Sequence, residues 1–210
     1  PLQNMTLLPA SYALNQVENQ LLVRWLLDSS RPDPRFALAR LLAEDEITKK
    51  FNVVIIDTPP RLSLATVNAL CAATHVLVPT NMDKLAIDNV GDFLGQTDKW
   101  FRQKLNPAIK LAGIIATMSD ARELDNTERT SRQTVEEQAR ARWGGKAPLT
   151  PHLDVWPSDA YVLRTNVPDT ERFKKDAGNT IAYLDLRAEN AATRANIDAL
   201  GKEVAERIKA

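Results

Sequence analysis

Short apolar runs alternate along this chain with longer stretches in which apolar residues recur every three or four positions. Runs of branched apolar residues are typical of buried strands, and they predict strands at 52–57, 75–79 and 110–118, with a shorter one within Met5–Ser11. The helical spacing predicts helices at about 12–27, 35–50, 62–73 and 87–105. This alternation favours an α/β fold, in which right-handed crossovers build a mostly parallel sheet flanked by helices on both faces.

The second half of the chain has a less regular pattern. Residues 119–175 are charged and proline-containing, and within them 127–142 predicts a solvent-facing helix and Leu149–Val155 a short strand. The end of the chain predicts an amphipathic helix, whose apolar face carries Ile197, Leu200, Val204 and Ile208.

Composition bounds the class of protein. A chain of 210 residues with 44% hydrophobic residues can bury one substantial core, so we predict a single α/β domain over 1–210. Lys plus Arg and Asp plus Glu both number 27, so overall charge does not argue for nucleic acid. The single cysteine, Cys71, excludes an intrachain disulfide. No apolar stretch approaches the roughly 20 residues that span a bilayer, and a soluble, cytoplasmic protein is expected.

One segment carries most of the chemical information. The apolar run 51–56 ends in Asp57, which is followed by Thr58, Pro59 and Pro60. This order predicts a buried parallel strand with a carboxylate at its carboxyl end, where α/β proteins bind phosphates and magnesium. The alternative is an aspartate that only caps the next turn. The paired prolines hold the loop extended before any ligand binds.

This segment, the helix after it and the strand at 75–79 resemble the Walker B region of the ParA/MinD-type partition ATPases, which have a P-loop NTPase-like fold. Those enzymes hold the nucleotide phosphates with a glycine-rich loop, G-x-x-x-x-G-K-[ST], and the sequence contains no such loop. In the family the loop lies upstream of the position that matches Pro1. We therefore expect the chain to be the carboxyl-terminal two thirds of a longer ATPase, or a family member without its catalytic half, and to be inactive by itself.

The resemblance implies a role for each residue of the motif. Asp57 matches the aspartate that orders magnesium, usually through water, and Thr58, Pro59 and Pro60 match the catalytic loop that senses the γ-phosphate. The implied cofactors are ATP and Mg²⁺ in the intact protein, and none is expected on the fragment.

The resemblance also implies contacts with the adenine ring. Thr117 and Met118, at the end of the strand at 110–118, match one side of the ring, and Pro151 matches a proline on the other side. A methionine at a strand end is equally well explained as core filling. The DNA-binding residues stay unknown, because His152 replaces the arginine that follows this proline in the family.

The resemblance implies partners as well. They are a second copy of the chain in an ATP-dependent dimer, a ParB-like centromere-binding protein, and non-specific DNA, which would put the protein at the nucleoid. A non-catalytic adaptor of the same fold is the first alternative. A membrane-associated MinD-like relative is the second, but the last helix lacks the aromatic residues of an interfacial anchor, so no membrane partner is expected.

Overall fold

The computed structural model describes residues 5–11, 13–28, 30–59, 61–118, 126–144, 160–165, 167 and 191–209. The chain divides into two compact units, Pro1–Ala73 and Thr74–Ala210.

The described part of the first unit is helical. It begins with α1, and a 3₁₀ turn at Pro34–Phe36 leads into three shorter helices. The bounds are Leu14–Leu27 for α1, Ala37–Leu42 for α2, Asp45–Lys50 for α3 and Leu64–Ala72 for α4. Helix α4 packs against the 3₁₀ turn and α2. Its Cys71 is buried, and burial raises the pKa of the thiol, which agrees with a role as a small core residue.

A polar link joins the 3₁₀ turn to α1. The Asp33 carboxylate accepts a hydrogen bond from the backbone N–H of Arg35 at 2.9 Å and pairs with its guanidinium at 2.6 Å. These hydrogen bonds from Arg35 hold the pKa of Asp33 below its ordinary value. The same guanidinium lies 5.3 Å from the centre of the Trp25 ring, so Arg35 connects the turn to α1.

Two predicted strands of this unit do not form. Residues 53–59 and 5–11 have no assigned secondary structure, and Ile55 is 91% exposed. A parallel strand needs a neighbour to satisfy its backbone groups, and the described part of this unit contains no other strand. The prediction of a buried strand at 52–57 is therefore wrong for this structure.

The predicted helix at 35–50 is interrupted. Glu44 adopts an extended backbone between α2 and α3, and its carbonyl accepts the first hydrogen bonds of α3, from Ile47 and Thr48. The apolar periodicity continues across this break, which is why the sequence predicts a single helix.

The second unit contains the sheet. Strands β1 (His75–Thr80) and β2 (Lys110–Ala116) pair in parallel, with His75 opposite Lys110 and Thr80 opposite Ala116. The register shifts after Val76, so Ala112 has no partner in β1. Both strands agree with the predicted ones to within two residues.

Three helices accompany this sheet. Helix α5 (Lys84–Gln96) begins at Asp83, whose carboxylate accepts from the backbone N–H of Ala86 at 2.8 Å. It continues without a break as a π-helix, Thr97–Leu105, so the predicted helix at 87–105 is confirmed as a helical stretch with a change in hydrogen-bond ladder. Helix α6 spans Asn126–Trp143 and packs against α5. Helix α7, Ala191–Arg207, packs against β2.

Helix α6 is not the solvent-facing helix that its charges predict. One of its faces is buried, and this face carries Ser131, Arg132, Val135, Glu136, Ala139, Arg140 and Trp143. The polar members of this face are accommodated by ion pairs one turn apart, Glu128 with Arg132 at 3.3 Å and Glu136 with Arg140 at 2.6 Å. Sequence polarity does not reveal burial when the charges neutralise each other within the helix.

Candidate functional site

Asp57 lies in an exposed, extended segment of the first unit. The neighbouring Thr58 and Pro59 are also exposed, and Pro60 lies outside the described residues. The structure therefore leaves the carboxylate open to solvent, although it does not place it at the tip of a strand.

A pair of tight turns links this segment to α4. The backbone N–H of Arg61 donates to the carbonyl of Pro59 at 2.8 Å, and the N–H of Ser63 donates to the carbonyl of Arg61 at 2.9 Å. Thr66 donates its hydroxyl to the same Arg61 carbonyl at 2.6 Å, and Ser63 caps α4 by accepting from the N–H of Thr66. The loop after Asp57 is thus fixed by hydrogen bonds at its carboxyl end.

Helix α1 supports the same loop. The Arg61 guanidinium donates to the side-chain oxygen of Asn15 at 3.2 Å, and the Glu18 carboxylate accepts from the backbone N–H of Ala65 in the first turn of α4. A carboxylate at this helix end is favourable, because the helix dipole is positive there. Asn15 and Glu18 hold the loop in place, and sequence reasoning missed both, since contacts 46 and 47 residues apart leave no local pattern.

A second group of polar residues lies at the carboxyl ends of β1 and β2. The backbone N–H of Thr117 donates to the carbonyl of Thr80 at 2.9 Å, and its hydroxyl donates to the side-chain oxygen of Asn81 at 3.0 Å. Met118 follows with φ of 55°, a left-handed conformation that is uncommon for a residue other than glycine, and is 62% exposed. An exposed Met118 does not fill the core, which removes the alternative that the sequence left open for it.

Asn81 is the residue that sequence reasoning missed in this group. The available signal was its position directly after an apolar strand, at the edge where ligands bind in parallel α/β sheets. Pro151, predicted to line the other side of an adenine ring, lies outside the described residues.

The described residues fit a magnesium contact of one kind. They contain no cluster of three or more His, Cys, Asp or Glu side chains that could hold a metal ion by themselves. Mg²⁺ keeps several waters and commonly binds through one or two carboxylates together with substrate phosphates. The exposed carboxylate of Asp57 has the chemistry for such a contact, and Asp57 is the residue that would hold the ion.

Two further observations concern other partners. Of the arginines and lysines considered for DNA, Arg164 and Arg194 are described, and both are exposed. None of the helices that the structure describes is both long and apolar enough to cross a membrane.

Comparison with known proteins gives a family match. Residues 1–111 match the family model described as an AAA domain. The chain is 40% identical over 96 residues to the chromosome-partitioning ATPase Soj of Thermus thermophilus, an alignment that covers 46% of this chain and 36% of the relative. It is 36% identical over 121 residues to the chromosome partitioning protein ParA of Myxococcus xanthus, covering 58% of this chain and 39% of that protein. The chain thus spans less than half the length of these relatives.

Two solved structures support the fold. Cobyrinic acid a,c-diamide synthase from Mycobacterium smegmatis, with bound ADP and magnesium, is 34% identical, with a TM-score of 0.55 over 80% of this chain and 56% of that one. The apo McdA of Cyanthece is 14% identical, with a TM-score of 0.64 over 95% of this chain and 66% of that one, and this likeness concerns the fold alone. The predicted α/β fold of the P-loop NTPase type, with a parallel sheet flanked by helices, is confirmed.

Proposed function

Because the chain belongs to the ParA/MinD-type family of partition ATPases, whose AAA-domain model matches residues 1–111, we propose that it acts in ATP-driven DNA partition. The observation that carries this proposal is the Asp57-Thr58-Pro59 segment, which lies inside the matched region and presents an exposed carboxylate. Its loop is tied to α4 and α1, as a catalytic loop that must hold its position requires.

The proposed role of each residue follows from its chemistry. Asp57 would hold the hydration shell of Mg²⁺, which when bound neutralises charge that develops on the β- and γ-phosphates. Thr58 and Pro59, with Pro60 after them, would form the loop that responds to the γ-phosphate. Thr117 and Met118 would contact the adenine ring, with the Thr117 hydroxyl oriented by Asn81.

The proposed partners are those of a partition system. An ATP-dependent pair of subunits would bind DNA without sequence preference, through lysine and arginine contacts to phosphates that weaken steeply with salt. A centromere-binding protein of the ParB kind would stimulate hydrolysis and so dissolve the pair. The relatives that are chromosome-partitioning proteins support this assignment and favour a place of action in the cytoplasm, at the nucleoid.

One observation favours a second candidate function. The 210 residues contain no glycine-rich phosphate loop, so a non-catalytic adaptor that keeps the fold is the alternative to an ATPase.

The gene upstream of the Pro1 codon decides between the two. The ATPase proposal expects a reading frame that continues upstream and encodes a strand followed by a glycine-rich loop ending in G-K-[ST]. If the complete gene product has no such loop, the adaptor is the correct assignment. A MinD-like membrane role has its own assay, binding to anionic liposomes that is lost when the residues after Asp198 are removed.

A further inference from the structure

The third segment of the sheet in the second unit is held in an unusual way. This edge segment, residues 160–165 with Val167, runs parallel to β2 on the side away from β1, through bridges of Val162 with Ile114 and Val167 with Thr117. In the first bridge the N–H of Ile114 donates to the carbonyl of Tyr161, and the N–H of Leu163 donates to the carbonyl of Ile114, each at 2.8 Å. This pattern turns the N–H of Val162 away from β2.

A carboxylate accepts that outward N–H. Glu136 of α6 takes the hydrogen bond from the Val162 N–H at 2.8 Å with one oxygen, and its other oxygen pairs with Arg140 at 2.6 Å. Glu136 and Val162 are both 0% exposed. The carboxylate therefore stands where the carbonyl of a further strand would otherwise accept.

A second carboxylate does the same farther along. From Ile114 to Thr117 is three residues along β2, whereas from Val162 to Val167 is five along the edge segment, so the edge segment bulges between its two bridges. In the bulge the consecutive N–H groups of Arg164 and Thr165 donate to the two oxygens of Glu203 in α7, at 3.0 and 3.2 Å. Glu203 in turn pairs with Arg207, one turn later, at 3.2 Å.

The arginine of the second pair closes a gap in β2. The guanidinium of Arg207 donates at 3.1 Å to the carbonyl of Ala112, the residue that the register with β1 passes over. Gly113 permits the close approach, because a side chain there would overlap Leu163 and come within 2.9 Å of the Tyr161 carbonyl. Both pairs, Glu136 with Arg140 and Glu203 with Arg207, have the same spacing of four residues and act on backbone groups of one sheet border.

We propose that Glu136 and Glu203, each oriented by an arginine one turn later, close the edge of this sheet against pairing with a strand from another chain. An open edge presents unpaired N–H and C=O groups to which a second copy can add. Here the outward N–H groups of Val162, Arg164 and Thr165 are already bonded to carboxylates that belong to α6 and α7. This role is independent of ATP binding and of partition.

Hydrogen exchange of the full chain tests the proposal at two protein concentrations. In the variant Glu203→Ala, the amides of Arg164 and Thr165 should exchange at least about tenfold faster at low concentration, because their acceptor is gone. At high concentration they should regain protection, because a strand of a second copy pairs with them. The control Glu206→Ala, which removes an exposed carboxylate of the same helix, should exchange like the unchanged chain at both concentrations.

Two results would overturn the proposal. Unchanged protection of Arg164 and Thr165 in Glu203→Ala would mean that the carboxylate is not their essential acceptor. Faster exchange that does not depend on concentration would mean that Glu203 holds the segment without blocking strand addition. If Glu203→Ala does not fold, Glu203→Gln carries the test, since it keeps one acceptor oxygen and should release only one of the two amides, with the same concentration dependence.

Discussion

Buried polar atoms decide local stability in this protein, and Thr97 is a clear case. Its side chain is 1% exposed where α5 continues into the π-helix, and its hydroxyl has no hydrogen-bond partner in the part of the chain that the structure describes. A buried hydroxyl without a partner costs stability, because it has given up its hydrogen bonds to water.

Thr97→Val should therefore stabilise the protein. Valine keeps the branched shape and removes the hydroxyl, so the free energy of unfolding should rise by about 1 kcal/mol, as measured by urea denaturation. Thr134→Val is the matched control, because the Thr134 hydroxyl is exposed and donates to the Thr130 carbonyl at 2.9 Å; its effect should stay within about 0.5 kcal/mol. A loss of stability in Thr97→Val would show that the hydroxyl does have a partner.

At the scale of elements, Asn68 connects α4 to the start of α2. Its side-chain oxygen accepts from the backbone N–H of Leu38 at 3.0 Å, and its nitrogen donates to the carbonyl of Pro34 at 2.8 Å. Asn68→Ala should lower the free energy of unfolding by about 1 to 3 kcal/mol, because both backbone groups lose their partner in a partly buried site.

Asn68→Asp separates the two contacts. The aspartate keeps an acceptor for the Leu38 N–H and loses the donor to the Pro34 carbonyl. Thermal unfolding followed by circular dichroism should therefore place it between the unchanged chain and Asn68→Ala. Equal stability of all three proteins would refute the connecting role of Asn68.

The elements that the sequence predicts well are those with local signals. Strands β1 and β2 are apolar runs bounded by polar residues, and α4 and α5 have capping side chains, Ser63 and Asp83, at the expected place. The strand before Asp57 fails for the opposite reason, because a run of branched residues becomes a strand only when a neighbouring strand is present.

The edge segment and the support of the candidate site could not be predicted. Tyr161-Val162-Leu163 is too short an apolar run to identify as a strand, and its acceptors come from helices 26 and 39 residues away in sequence. The motif around Asp57 was recognisable from its residues. The contacts of its loop with Asn15 and Glu18, and the place of Asn81 beside Thr117, depend on tertiary packing and required the structure.

At the scale of the whole molecule, the first unit exposes much apolar surface. On α1 the exposed residues are Leu14, Val17, Leu21, Leu22, Val23, Leu26 and Leu27. The segment before Asp57 adds Val53, Val54 and Ile55. Soluble monomers rarely leave so many large apolar side chains in contact with water.

The 210-residue chain should therefore associate in solution, as light scattering can measure. The double variant Leu22→Glu with Leu26→Glu should reduce the associated fraction, because it places charges on the exposed face of α1. Leu85→Glu, at an isolated exposed position on α5, is the control and should leave association unchanged. A monodisperse monomer of the unchanged chain would contradict this prediction.

Magnesium-dependent ATP turnover by the complete gene product tests the central claim most directly. We predict that Asp57→Ala lowers turnover by at least about 100-fold with an unchanged circular dichroism spectrum, because the ion loses its carboxylate. Asp45→Ala, which removes an exposed carboxylate of α3, should retain turnover. Turnover that Asp57→Ala leaves unchanged would contradict the role of Asp57, and absence of turnover in the unchanged gene product would contradict the assignment as an ATPase.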